Sequence, residues 1–141
     1  MGKEIDCPND AAYLHLTSNN TIKGTQYHEF PDSGSVPLIC DMSSDILSHQ
    51  VDFNQFSMFY AGAQKNLGPS GVTLVVIRDD MLGRINDGLP TIFDYRTHTE
   101  KKSLFNTPPS FTIYVVKLIL EWIKQQGGLQ AVEDTNRKKK D

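Results

Sequence analysis

A lysine between two apolar segments is the first residue whose setting suggests chemistry. Lys65 lies in the glycine-rich stretch 60–71, after the apolar run Met58–Gly62 and before the apolar run 72–77. Short apolar, β-branched runs bounded by Gly and Pro predict buried strands. Partial desolvation of a lysine held between two such strands would lower its pKa and supply a neutral amine for a Schiff base. The alternative interpretation is a solvated loop lysine.

A carboxylate closes another apolar run. Asp41 stands near the end of the predicted strand 38–42. Ligands of α/β sheets gather at the carboxyl ends of strands, so we expect Asp41 and Lys65 at the same edge of one sheet. Such a pair suits pyridoxal 5'-phosphate, which needs a lysine for its aldehyde and an acid that keeps its pyridine nitrogen protonated. Alternatively, Asp41 is a helix N-cap or a turn aspartate.

Three segments resemble the phosphoserine aminotransferase family. They are 40–48 (CDMSSDILS), 61–66 (AGAQKN) and 103–111 (SLFNTPPSF), and they occur in the family's order with its separations. The similarity extends from about residue 11 to about residue 136. It implies a transaminase of serine biosynthesis that moves an amino group between phosphoserine and 2-oxoglutarate, giving 3-phosphohydroxypyruvate and glutamate.

The resemblance also implies roles for single residues. Lys65 forms the internal aldimine with the cofactor and then carries the proton in the 1,3-shift, while Asp41 pairs with the pyridine nitrogen. Thr21 matches a threonine near the cofactor ring hydroxyl, and Gln64 matches a phosphate contact. Their other interpretations are a plain turn residue for Thr21 and a loop amide for Gln64.

Two further positions imply a site shared between subunits. Asn106 and Thr107 match residues that reach the cofactor phosphate of a neighbouring subunit, so the resemblance implies a homodimer. The alternative is that both residues form a helix-entry cap ahead of Pro108.

Composition excludes several other function classes. The net charge of −3 gives no nucleic-acid footprint. Two cysteines, Cys7 and Cys40, are too few for a disulfide framework or a metal site. A buried thiol at Cys40 suits a reducing cytoplasm, where we expect the protein to be. We expect no signal peptide, and the longest apolar run falls short of a membrane span.

The pattern of apolar runs predicts an α/β fold with a mainly parallel sheet and one antiparallel strand. Predicted extended segments are 12–17, 25–30, 38–42, Met58–Gly62 and 72–77, followed by a short helix at Asp79–Leu82 with acids in its first turn. The turn 68–71 is too short for a helical crossover, so the two strands around it must be antiparallel.

The longest predicted helix covers 110–126. Pro108, Pro109 and Ser110 are expected to cap its start, and Gly127 and Gly128 to end it. Its apolar residues lie nearly all round the helix, which is typical of a helix buried on more than one side. Left without a partner, this surface would drive association with another copy.

The chain is one domain's worth of protein, whereas the family's subunit is more than twice as long. We therefore expect residues 1–141 to be a partial large domain of the pyridoxal phosphate-dependent fold. Its N-terminal strands, phosphate-binding loop and C-terminal small domain would be missing, with an artificial start at 1–4 and a cut inside a helix at 138–141. A weakly active aminotransferase part, acting on small amino and keto acids, then competes with a non-catalytic, self-associating fragment. A third interpretation is a desulfurase-like or lyase member of the fold.

Overall fold

The computed structural model describes residue 5 and residues 7–140. The strands are β1 (Leu14–Thr17), β2 (Asn19–Asn20), β3 (Thr25–Gln26), β4 (Leu38–Asp41), β5 (Met58–Gly62) and β6 (Thr73–Ile77). The α-helices are α1 (Asp79–Leu82), α2 (Tyr95–Glu100), α3 (Ser110–Gln125) and α4 (Gly128–Lys140), with single 3₁₀ turns at Phe53–Gln55 and Thr91–Phe93. The artificial start predicted at 1–4, and Asp141, lie outside the described residues.

Four strands form one sheet in the order β1-β4-β5-β6. β1 pairs parallel with β4, and β4 pairs parallel with β5. β5 and β6 are antiparallel, as predicted, because the connection 63–72 contains no helix and turns back through Gly71, which has a φ of 107°. The mainly parallel sheet with one antiparallel strand is therefore confirmed.

The second extended segment differs from its prediction. Only Thr25–Gln26 of the stretch 25–30 is a strand, and it pairs with Asn19–Asn20 in a separate two-stranded hairpin. The hairpin closes at its base where the backbone N–H of Tyr27 donates to the carbonyl of Ser18 at 2.8 Å. Residues 28 and 29 bend the chain, so the strand does not continue to residue 30.

The hydrophobic core lies on one face of the four-stranded sheet. Leu38 and Cys40 of β4 and Phe59 and Ala61 of β5 project to this face, because alternate residues of a strand share a face. The loops that follow β4 and β5 cover them with further apolar side chains, namely Met42, Ile46, Phe56, Ala63 and Leu67. The loops that follow β4 and β5 therefore pack against the core face of the sheet.

Cys40 at the centre of this core should be inert toward thiol reagents while the chain is folded. Burial, together with the nearby charges of Asp45 and Asp41, raises the pKa of its thiol to about 12, and none of its surface is exposed. We expect a disulfide reagent at pH 8 to modify half-buried Cys7 quickly, and Cys40 at least about 10³-fold more slowly, through unfolding. Stopped-flow absorbance of the wild type and of Cys7→Ser separates the two rates.

The same thiol makes stability depend on pH in alkali. The folded pKa lies above the ordinary thiol value of 9.0, so the contribution of Cys40 is fully present below pH 9 and is lost as pH rises toward 12. Cys40→Ala should flatten this part of the stability curve. Fast modification of Cys40 in the native Cys7→Ser protein would contradict both expectations.

Helix α3 begins at the predicted residue and ends one residue before the predicted end, but the capping of its start and its burial differ from prediction. Pro109 is the N-cap and makes no side-chain cap bond, because its ring carries no acceptor. The hydroxyl of Ser110 instead faces the carbonyl of Pro108 at 3.5 Å. Val116 packs against the core and Thr112 is buried, whereas most of the remaining apolar surface is exposed.

Candidate active site

Thr21 and Lys65 are brought into direct contact. Thr21 lies in the turn of the β2–β3 hairpin, and Lys65 lies in the turn that follows β5. The Lys65 Nζ donates a hydrogen bond to the Thr21 Oγ1 at 2.8 Å. These residues are 44 positions apart in sequence, and the contact joins the hairpin to the main sheet edge.

Lys65 is nevertheless exposed, so the predicted partial desolvation is wrong. Its neighbours Gln64 and Asn66 are exposed as well, while Ala63 and Leu67 on either side are buried. The apolar runs therefore anchor the two ends of the turn, and the turn itself projects beyond the sheet edge. The turn is held by the Asn66 amide, which donates to the carbonyl of Ile46 at 2.6 Å.

Asp41 is the last residue of β4, beside Thr17 of β1 and Tyr60 of β5. Its Oδ1 accepts from the backbone N–H of Ser43 at 2.9 Å and from the Ser43 hydroxyl at 2.6 Å. One carboxylate oxygen thus does what the turn-aspartate interpretation predicted. The predicted placement of Asp41 at the carboxyl edge of the sheet is also present in the structure.

Ser43 connects this carboxylate to the strand that leads to Lys65. Its hydroxyl oxygen accepts from the backbone N–H of Gly62, the last residue of β5, at 2.9 Å while donating to Asp41. The ends of β4 and β5 are therefore tied by one side chain. This connection fixes the starting point of the Lys65 turn relative to the Asp41 carboxylate.

The sheet face around Asp41 is polar. Burial, followed by the negative charge of Asp41, raises the pKa of the Tyr60 phenol. The phenol oxygen of Tyr60 lies 3.1 Å from the Nε2 of His15 on β1. Tyr60 therefore keeps its proton through neutral pH.

Gln64 folds back over the end of β5. A Cβ at Gly62 would lie only 2.6 Å from the Gln64 Oε1, so the absence of a side chain at Gly62 makes room for this amide. The Gln64 side chain thus packs against the backbone of Gly62 at the end of β5. Its amide can donate to an oxyanion without adding charge.

Asn106 and Thr107 are not brought to this group. Both are exposed in the segment between α2 and α3, and no hydrogen bond within the described part of the chain joins them to Thr21, Asp41 or Lys65. The helix-cap alternative is wrong as well, because the cap of α3 is Pro109.

The side chains that hold the site together were not predicted from the sequence. Ser43 lies two residues after Asp41, a spacing at which an aspartate commonly binds its own turn, and this signal was available. Ser18 and Asp45 are both buried and bonded to each other across 27 positions. No local pattern announces a pair so far apart in sequence.

The part of the chain that the structure describes has neither a membrane-spanning helix nor a metal-binding cluster. None of its helices is both long and apolar enough to span a bilayer. Its His, Cys, Asp and Glu side chains form no group of three or more suited to a metal ion.

Comparisons with known proteins give a consistent family. The model of the class-V aminotransferase family matches residues 3–141. A phosphoserine aminotransferase of Geobacillus kaustophilus is 59% identical over 136 residues, which are 96% of this chain and 38% of the relative. A second, from Niallia circulans, is 58% identical over 137 residues, again 38% of its length.

Solved structures agree with the sequence relatives. The phosphoserine aminotransferase of Bacillus circulans subsp. alkalophilus superposes with a TM-score of 0.92 at 58% identity, covering 96% of this chain and 37% of that one. A pyridoxal phosphate-bound phosphoserine aminotransferase from Trichomonas vaginalis gives 0.89 at 40% identity, covering 95% and 39%. The chain therefore spans well under half the length of the proteins it matches.

Proposed function

This chain belongs to the class-V aminotransferase family, and we propose that it supplies the lysine-bearing part of the cofactor site of a phosphoserine aminotransferase. The observation that carries the proposal is the 2.8 Å contact of Lys65 with Thr21, beside the strand end that bears Asp41. The pyridoxal phosphate in the Trichomonas vaginalis relative supports the choice of cofactor. The names of the relatives favour this function over a desulfurase-like or lyase activity.

The residues present fit that cofactor. They offer an exposed amine, a half-buried carboxylate, a hydroxyl and an uncharged amide at one sheet edge, in Lys65, Asp41, Thr21 and Gln64. When bound, pyridoxal phosphate supplies an aldehyde that condenses with an amine, releasing water, and a ring that accepts the electron pair left by a departing proton.

Each side chain then has a task. Lys65 Nζ provides the amine and moves the substrate's α-proton. Asp41 holds a proton on the pyridine nitrogen, because an adjacent negative charge favours the charged form of a base. Thr21 Oγ1 positions Lys65 Nζ. When the cofactor is bound, Thr21 would face its ring hydroxyl and Gln64 would donate to its phosphate.

The substrates and assembly form the outer part of the proposal. The relatives' printed name supports amino transfer between phosphoserine and a keto acid, for which we propose 2-oxoglutarate, giving 3-phosphohydroxypyruvate and glutamate. Asn106 and Thr107 lie apart from the other four residues, and we propose that they bind the cofactor phosphate held by a second copy of the chain. We place this chemistry in the cytoplasm, within a partial large domain formed by residues 1–141.

A trapping experiment tests the cofactor site. The chain is incubated with millimolar pyridoxal phosphate, reduced with borohydride and mapped by peptide mass spectrometry. We expect the reduced adduct to concentrate on Lys65, and we expect weak affinity, since the chain spans 38% of its relative and each missing charge-assisted bond costs roughly 1.5–3 kcal/mol. Labelling spread over all lysines according to their exposure would contradict the proposal. Pyridoxal without phosphate serves as the control for phosphate recognition.

A second candidate function, self-association, is favoured by α3. Phe111, Tyr114, Leu118 and Trp122 recur every three or four residues and form one exposed apolar stripe, with Phe111 76% and Trp122 55% exposed. Apolar stripes of this size on a helix are normally covered. A non-catalytic fragment would cover the stripe with another copy of itself.

Sedimentation velocity measures this association. We expect the wild type to shift from monomer to dimer or larger species with rising concentration, and Phe111→Lys combined with Trp122→Lys to remain monomeric. Ile22→Lys is the matched control, because Ile22 is an exposed apolar residue in the hairpin turn, away from the stripe. A wild type that stays monomeric at every concentration would rule out this second function.

A further inference from the structure

We propose that Asp45 is a positioning residue of the candidate active site, because its buried carboxylate holds both strands of the hairpin that presents Thr21 to Lys65. Asp45 lies in the loop after β4, four residues beyond Asp41, and only 5% of it is exposed. Buried carboxylates are costly unless their oxygens accept hydrogen bonds. The identity of the donors therefore indicates what this carboxylate does.

The two oxygens of Asp45 bind opposite strands at the base of the hairpin. Oδ1 accepts from the hydroxyl of Ser18, the residue that precedes β2. Oδ2 accepts from the Nε2 of Gln26, the last residue of β3, at 2.9 Å. One carboxylate thus fixes both ends of the hairpin to the loop that follows Asp41.

The hairpin transmits this position to its turn. Gly24 N–H donates to the carbonyl of Asn20 at 2.8 Å, and the Asn20 side chain accepts from the backbone N–H of Ile22 at 3.1 Å and of Lys23 at 2.9 Å. These local bonds close the turn around Thr21. Because the unit is closed at its turn and at its base, the location of its base determines where Thr21 meets Lys65.

A second contact supports the same arrangement. The hydroxyl of Ser44 donates to the carbonyl of Asn19 at 2.8 Å, and its oxygen lies 3.0 Å from the Asn19 Nδ2. Ser44 adjoins Asp45, so two consecutive residues of one loop bind the hairpin. Asp45 is the member of the pair that reaches both strands and that supplies a charge, which makes its hydrogen bonds the stronger ones.

Removing the carboxylate should loosen the hairpin and not the sheet. In Asp45→Ala we expect amide hydrogen exchange at Gly24 and Tyr27 to rise by about tenfold or more, since buried donors lose their acceptor. Exchange at Ser57 and Ala63, whose N–H groups donate to the carbonyls of Leu38 and Val72 at the two ends of β5, should stay near the wild-type rate. Nuclear magnetic resonance on the full chain gives all four rates in one experiment.

The consequence for Lys65 rests on the proposed function. Trapping of pyridoxal phosphate on Lys65 should fall by about tenfold in Asp45→Ala, because Thr21 no longer holds the amine in place. Asp45→Asn, which keeps the shape and can still accept from Gln26, should recover most of it. Gln26→Met removes one of the two donors to Asp45 while preserving side-chain volume, and it should give an intermediate loss of trapping on Lys65. This variant replaces Asp45→Ala in the test if Asp45→Ala does not fold.

Asp52→Asn is the matched control. Asp52 is likewise an aspartate whose carboxylate accepts a hydrogen bond, in its case from the backbone N–H of Asn54 at 3.0 Å, but it precedes β5 at the opposite end of the sheet. Its replacement should change neither hairpin exchange nor trapping.

The outcomes separate this inference from the proposed function. The positioning role is overturned if amide hydrogen exchange in the hairpin is unchanged in Asp45→Ala and Gln26→Met, or if exchange at the sheet amides rises equally. It is also overturned if hairpin exchange rises while trapping on Lys65 is unchanged. If the wild type shows no selective trapping on Lys65, the proposed function fails. The amide hydrogen-exchange rates of the hairpin in the wild type and in Asp45→Ala then still decide whether Asp45 positions Thr21.

Discussion

Lys65→Ala should abolish selective capture of pyridoxal phosphate while leaving the chain folded. Lys65 is exposed and its side chain makes one hydrogen bond, to Thr21, so its loss should change the free energy of unfolding by no more than about 0.5 kcal/mol. Capture should fall to the level of other exposed lysines. Borohydride trapping with peptide mapping measures the capture, and urea unfolding measures the stability.

Lys65→Arg separates charge from nucleophilicity. A guanidinium keeps the positive charge and can still donate to Thr21, but it does not provide a neutral amine at neutral pH. We therefore expect Lys65→Arg to lose capture as fully as Lys65→Ala.

Lys23→Ala is the control for both variants, because Lys23 is exposed in the same hairpin turn as Thr21. It should capture the cofactor as the wild type does. Retained capture in Lys65→Arg would mean that the cofactor reacts elsewhere.

The antiparallel direction of the last strand and the edge that bears the site could be predicted because their signals are local. The helix-free turn between β5 and β6 dictated antiparallel pairing, and the apolar runs located the strand ends where Asp41 and Lys65 lie. These features depend on chain length and on side-chain periodicity, which the sequence displays directly.

The exposure of Lys65 could not be predicted from the same runs. Apolar flanks specify that Ala63 and Leu67 are buried, but they do not specify how far the turn between them projects. Likewise, the apolar surface of α3 predicts that something covers it, without identifying the cover.

Long-range polar contacts account for most of what was missed. Helix α4 has a mostly polar sequence, and only a helix at 138–141 was predicted in this region, not the extent from Gly128. Glu133 accepts from the backbone N–H of Gln50 at 3.0 Å, and Asn136 donates to the carbonyl of Ser48 at 2.9 Å. The bond between Ser18 and Asp45 is of the same kind, because its partners are separated by 27 positions. Such pairs become visible only when the fold has brought them together.

Phe59→Ala should cost about 3–5 kcal/mol of unfolding free energy, a large part of the roughly 5–15 kcal/mol typical of a domain. Phe59 is 7% exposed on β5, and its ring centroid lies 4.9 Å from that of Phe53 and 6.1 Å from that of Phe56. Truncation removes the transfer free energy of the ring and leaves a cavity among rings that cannot close it. Urea unfolding followed by circular dichroism measures the loss.

Phe93→Ala is the matched control, because the same atoms are removed from a side chain that is 71% exposed. Its unfolding free energy should stay within about 0.5 kcal/mol of the wild type. Equal losses in the two variants would mean that Phe59 is not part of a packed core.

The core prediction also bears on the active site. Phe59 precedes Tyr60 on the strand that leads through Gly62 to Lys65, and the end of this strand is tied to Asp41 by Ser43. In Phe59→Ala, trapping on Lys65 should therefore decline in proportion to the folded fraction at each urea concentration. Trapping that persists after the sheet has unfolded would show that capture depends on the local sequence around Lys65 and not on the strand ends that position it.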